Sequence, residues 1–252
     1  MVETTIVGID CATDDAKVGL SRAVAGPERC VVEFAGACSS EREVAEEVAG
    51  WLSAGGRGLI AFDAPLGWPR PMGKALADHK AGERLAVAAN QLFRRATDRF
   101  VRERLGKQSL DVGADRIART AHSALRLLAD VRQRTGLPIP MAWEPGYSER
   151  VAAIEVYPSA TLMAHGVAGM GYKKRDKIAE RQAIMSRLER LIQLPQDRVA
   201  MERSADALDA AVCALAGFDF LRAEAYPPDD TEVACKEGWI WVRAKPGRVF
   251  AG

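Results

Sequence analysis

Histidine is scarce in this chain. Its three histidines, His79, His122 and His165, lie far apart, so no HxxxH or HExxH spacing can build a catalytic zinc site. The five cysteines, Cys11, Cys30, Cys38, Cys213 and Cys235, are odd in number and scattered, with no CxxC pair. That pattern argues against a structural zinc and predicts thiols kept reduced in the cytoplasm. Excess charge of either sign is missing, since the formal net charge is +1. The protein as a whole therefore has no long-range attraction for polyanions, and a nucleic acid would have to be held by a local patch. No apolar run reaches the roughly 18 residues a membrane helix needs, and no basic stretch precedes an apolar one at the start. The expectation is a cytoplasmic protein that neither spans a membrane nor is secreted. No GxSxG nucleophile elbow occurs. The 67–74 stretch imitates a phosphate-binding P-loop, but Ala75 replaces the hydroxyl residue and Pro69 and Pro71 remove amides that such a cradle needs.

What is present is material for a core. Of 252 residues, 48% are apolar, enough for one large domain. Alternating β-rich runs at 4–10, 17–24 and 29–37, separated by turn residues, predict an antiparallel meander. Ser40 is placed to cap a helix over 41–54, ended by Gly55 and Gly56. A short, wholly apolar run at 58–63 reads as a buried parallel strand. The proline-bearing stretch after it can be neither helix nor ladder. Helical, arginine-rich patterns then dominate to residue 136, predicting a mainly helical insertion at about 68–150 within a single domain over 1–252. A fifth strand is expected at 151–157, and helices at 159–165, 173–194 and 204–224, the last apolar on nearly every side and so buried against the sheet. A small hairpin from 231–234 and 239–242 would close the chain. The fold class is thus α/β, a five-stranded mixed sheet with flanking helices.

The acidic residues stand out against this pattern. Asp10, Asp63 and Glu155 each close an apolar strand, and Asp206 and Asp209 open the late apolar helix. A carboxylate at the mouth of an apolar strand is costly to desolvate unless a cation sits there, so several of them converging on one sheet edge suggest a divalent metal site. Each acid also has an ordinary reading, because aspartate favours turns and the first turn of a helix. Glu155 is either a further ligand or general base, or a bond to a backbone amide in the turn before Pro158.

Several motifs carry a family resemblance: Gly8-Ile9-Asp10, the 62–69 stretch from Phe62-Asp63 to Trp68-Pro69, Arg95-Ala96-Thr97-Asp98, Ile154-Glu155-Val156-Tyr157-Pro158, and Ala205-Asp206-Ala207-Leu208-Asp209-Ala210. With the β-β-β-α-β order, the chain resembles domain of unknown function family 429, described as predicted nucleases of the ribonuclease H-like superfamily. The late helix is similar to that of RuvC-type Holliday-junction resolvases, in which a DxxDA sequence brings aspartates to the metals. The resemblance implies a ribonuclease H-like fold and a nuclease that hydrolyses phosphodiesters with two Mg²⁺ or Mn²⁺ ions. Asp10 would bridge the ions, Asp63 would hold one, and Asp206 or Asp209 the other; Glu155 has no clear counterpart in the resolvase set. Resolvases carry Glu where this chain has Asp63, one methylene shorter.

A nucleic acid substrate needs cations. Arg94, Arg95 and Arg99 sit in a dense basic cluster suited to gripping phosphates, or else to pairing with Asp98 and Glu103 on a solvated helix face. Lys173, Lys174 and Arg175 follow a glycine-rich stretch and open the expected helix over 173–194, where an anion could bind. Two other classes remain open from the sequence. One is an ATP phosphotransferase of the actin-like or sugar-kinase type; the other is a non-catalytic binding module on the same fold.

Overall fold

A computed structural model describes residues 2–38, 42–113, 115–167 and 171–245. Five strands, β1 (Thr4–Asp10), β2 (Gly19–Ala25), β3 (Cys30–Ala37), β4 (Arg57–Asp63) and β5 (Val151–Glu155), form one mixed sheet in the order β3-β2-β1-β4-β5. The first three are antiparallel, and β4 and β5 run parallel to β1. Alternation along the central strands sends Ile6, Leu59, Ala61 and Ile154 to one face and Val7, Ile9, Ile60 and Phe62 to the other. Both faces are covered, as the near-continuous apolar runs of β1 and β4 require.

Helix α1 (Val44–Ser53) joins β3 to β4 and buries Val44, Val48 and Leu52 on the second face. The expected cap Ser40 lies outside the described residues. Between β4 and β5 come α2 (Arg70–Leu76), α3 (Ala89–Phe93), α4 (Ala96–Leu105) and α5 (Asp115–Thr135). Helix α5 is no appendage: Ala124, Leu128 and Val131 complete the layer that α1 begins. After β5 follow α6 (Pro158–Ala164), α7 (Ile178–Leu188), α8 (Val199–Arg203), α9 (Ala205–Leu221) and α10 (Thr231–Glu237).

Helix α9 covers the first face, and every residue in it except Asp206 is buried. It approaches so closely because glycines lie beneath it. A Cβ on Gly8 would stand 2.2 Å from the Ala210 carbonyl oxygen, and one on Gly19 would stand 2.0 Å from that of Asp206. Ser21 Oγ donates to the Ala210 carbonyl at 2.7 Å, so the helix is pinned to β2 by a buried hydrogen bond as well as by packing.

Two expected elements differ. The 231–234 run is not a strand but the start of α10, because Asp230 accepts from the Val233 amide and caps a helix there. Residues 239–242 lie instead along β5, with the Trp241 amide donating to the Glu155 carbonyl. The expected helix over 173–194 is reduced to α7. The buried guanidinium of Arg181 bonds the carbonyls of Tyr172, Lys174 and Arg175, which bends that stretch around it in place of a helical ladder. At the far end Gln193 pairs with Cys30 and Val32 beside β3. Among the described residues no helix is long and apolar enough to cross a membrane.

Candidate metal centre

The parallel register of β1 and β4 sets Asp10 opposite Asp63 where both strands end. Ser204 caps α9 by accepting from the amides of Asp206 and Ala207. One turn further, fully buried, Asp209 reaches the same edge. Carboxylate oxygens of Asp10, Asp63 and Asp209 all lie within 4.8 Å of one another. Asp206 does not join them; it is the one α9 residue that keeps partial exposure.

Three acids this close cannot all ionise freely. Burial, then Asp63 and Asp209, push the Asp10 carboxyl well above its usual range. Burial raises Asp63 to about 7, against the pull of Lys173 and a hydrogen bond with Asp10. Burial also raises Asp209, which Lys173 and Tyr172 partly offset. The Lys173 ammonium sits 2.6 Å from Asp209 Oδ2, and the Tyr172 hydroxyl donates to Asp209 Oδ1. Burial works against the charge on Lys173, but Asp209 and Asp63 outweigh it and hold the amine above the ordinary lysine range. Asp209 Oδ2 has no hydrogen bond of ordinary geometry, so its contact with Lys173 is an ion pair alone.

The donor set fits a hard divalent cation. All three groups offer oxygen, which suits Mg²⁺ or Mn²⁺ rather than zinc. The repulsion that raises these carboxyls is relieved by any cation placed among them, and a lysine ammonium already touches one of them.

Glu155 lines the same cleft as Asp10 and Asp63 but is not one of the three clustered acids. It pairs with Phe62, one register step short of Asp63. Its carboxylate accepts from Arg95 at 2.7 and 2.8 Å and from the Leu66 amide at 3.0 Å. Those bonds occupy both oxygens and tie it to the loop after β4, so a ligand role for Glu155 is corrected to a buried ion pair. Burial raises its carboxyl, and Arg95 opposes the rise.

Arg95 is likewise corrected. It is 1% exposed and bonds Glu155, Asp98 and the Glu237 carbonyl, leaving no donor for a phosphate. The Arg95-Ala96-Thr97-Asp98 motif is thus a stitch. Its Ala96 amide donates to the Glu237 carboxylate, and Thr97 Oγ1 accepts from the Ile240 amide, binding α4 to the C-terminal segment. Arg94 pairs with Asp111, and Arg99 is exposed, donating to the Arg94 carbonyl. Lys174 and Arg175 are exposed in the bend before α7. Of the six cations singled out from the sequence, Lys173 is the one that meets the carboxylate cluster. Tyr172 and Lys107, which lines the cleft above the carboxylates, carry no motif that would have marked them.

A family model described as "Protein of unknown function (DUF429)" matches residues 4–233, and the chain belongs to that family. No curated protein matches it.

Proposed function

We propose that this protein is a Mg²⁺- or Mn²⁺-dependent phosphodiester hydrolase acting on nucleic acid, with a ribonuclease H-like fold and a cytoplasmic setting in which its cysteines stay free thiols. The observation that carries the reading is the convergence of Asp10, Asp63 and Asp209 within 4.8 Å at the end of two parallel strands. The strand order, with a three-stranded antiparallel meander followed by two parallel strands, supports the fold assignment.

Asp10, Asp63 and Asp209 would hold the metal. Bound there, a divalent ion supplies Lewis-acid polarisation of a phosphoryl oxygen and an activated water, and a second ion, if present, shares the charge of an in-line displacement. The protein's own part is to keep three carboxylates rigid. Strand register fixes two of them, and the tight seat of α9 on Gly8 and Gly19 fixes the third. Lys173 offers a cation beside the cluster, where charge on a phosphate would need neutralising. One observation favours the non-catalytic alternative, for the ion pair of Lys173 with Asp209 partly neutralises the site without metal.

The decisive experiment is hydrolysis of labelled DNA and RNA, single-stranded and duplex, with Mn²⁺, Mg²⁺ or EDTA. The expected result is Mn²⁺-supported cleavage that Asp10→Asn abolishes. ATP turnover without nucleic acid cleavage, lost in the same variant, would assign the site to phosphotransfer.

A further inference from the structure

A cleft of about 420 Å³ opens onto the Asp10 and Asp63 carboxylates. To its lining the segment between β4 and β5 contributes Lys107, Ser109 and Leu110, in the loop after α4, and Ile117 and Thr120, in the first turns of α5. Tyr157, Ser159 and Lys173 line it as well. The carboxylates therefore lie in a cleft that several segments of the chain build.

From this geometry we infer that the cleft takes one unpaired nucleotide unit of a single-stranded nucleic acid and excludes a duplex. The inference rests on the hydrolase reading above and narrows its substrate. Size is the first argument. The volume lies toward the small end of the roughly 300–1,000 Å³ that encloses one small ligand, room for about one nucleotide unit. To put its base as well as its phosphate into the cleft, a paired nucleotide would have to be extruded, at a cost of a few kcal/mol that an unpaired one does not incur.

The lining is the second argument. Tyr157 is half-buried and lines the cleft, and stacking on one ring accepts any base. The Ser109 and Thr120 hydroxyls already donate to Asp98 Oδ1 and the Arg116 carbonyl, so towards a ligand they act as acceptors, as for a sugar hydroxyl. Lys107 is half-buried and has neither an ion pair nor a side-chain hydrogen bond among the described residues. A lysine that lines a cleft without a protein partner leaves its ammonium for an anionic ligand.

Charge is the third. A duplex carries one negative charge per about 1.7 Å of its axis and is held by a track of cations. Beside Asp10, Asp63, Asp98 and Glu155, the cleft is lined by Arg95, whose donors are all engaged, by Lys173, paired with Asp209, and by Lys107, so it offers no such track. That set matches one or two phosphates.

The test is fluorescence anisotropy with a short single strand and with the same sequence in a blunt duplex, both in Ca²⁺. Mn²⁺-dependent cleavage of the two is run in parallel. The single strand should bind roughly tenfold more tightly, consistent with one stacked base and one or two phosphate contacts. Lys107→Ala should weaken single-strand binding several-fold with circular dichroism unchanged, and Lys107→Arg should restore it. Equal affinity for the duplex, equal cleavage of it, or an indifferent Lys107→Ala would overturn the inference and leave the hydrolase reading intact. Single-strand preference in binding without cleavage of either substrate would uphold the cleft assignment and sink the hydrolase.

Discussion

Asp10 and Asp63 face each other across the parallel β1–β4 ladder, with carboxylate oxygens within 4.8 Å of each other and of Asp209. Acids this close are held together by the fold against their own repulsion, and that repulsion can be measured.

Asp10→Asn keeps the shape and removes one charge. In the metal-free protein the variant should be as stable as the parent or more stable, by up to about 2 kcal/mol, since it relieves crowding in an acidic site. The rise in melting temperature that millimolar Mn²⁺ gives the parent should vanish, because the ion no longer favours the native state. A loss of about 1 kcal/mol or more without metal would make Asp10 a structural residue.

The raised Asp63 carboxyl sets a pH dependence. Its folded value of about 7 stands above that of an unfolded aspartate, about 3.9. Above pH 4 the native state therefore binds more protons than the unfolded one, and stability falls with rising pH until the folded group has ionised. In EDTA, the stability of the parent relative to Asp63→Asn should decline between about pH 4 and pH 7 and then level off. Urea melts of both proteins across that range would show it, and a difference that grows with pH would refute the shift.

Lys173 competes with any cation entering beside Asp209. Its side chain is 55% exposed, so the pair is partly screened and worth on the order of 0.5–1 kcal/mol. Lys173→Met should raise Mn²⁺ affinity by a factor of about 2 to 5 in calorimetric titration, from the same range. A fall in affinity would mean that the amine orders the site rather than occupies it.

The Arg95, Glu155 and Asp98 network should behave as structure. Removing one member of a buried ion pair leaves a stranded charge, so Arg95→Ala should cost about 3–5 kcal/mol. Arg95→Lys should recover little of that, because an ammonium cannot reproduce the two-pronged contact with Glu155. Glu155→Gln should lower the melting temperature yet keep its Mn²⁺-induced rise. Loss of that rise would return Glu155 to the metal site.

The periodicity of the sequence determined the β-β-β-α-β order, the buried fourth strand and the apolar α9, because burial on two faces or on nearly every side leaves its mark in every residue of an element. The same apolar runs ended in Asp10 and Asp63, which made a shared carboxylate edge legible before any coordinates. Local signals misled where two principles competed. Thr231 and Val233 have strand character, but Asp230 supplies a cap and a helix forms. The 173–177 stretch has helix formers, but the Arg181 guanidinium takes its carbonyls. Tertiary structure alone decided which of two aspartates, three residues apart on one helix, joins the cluster. That choice depends on where α9 rests on Gly8 and Gly19, a contact between segments nearly 200 residues apart. It also decided that Arg95 and Glu155 neutralise each other, since a charge shows in sequence but its partner across the fold does not.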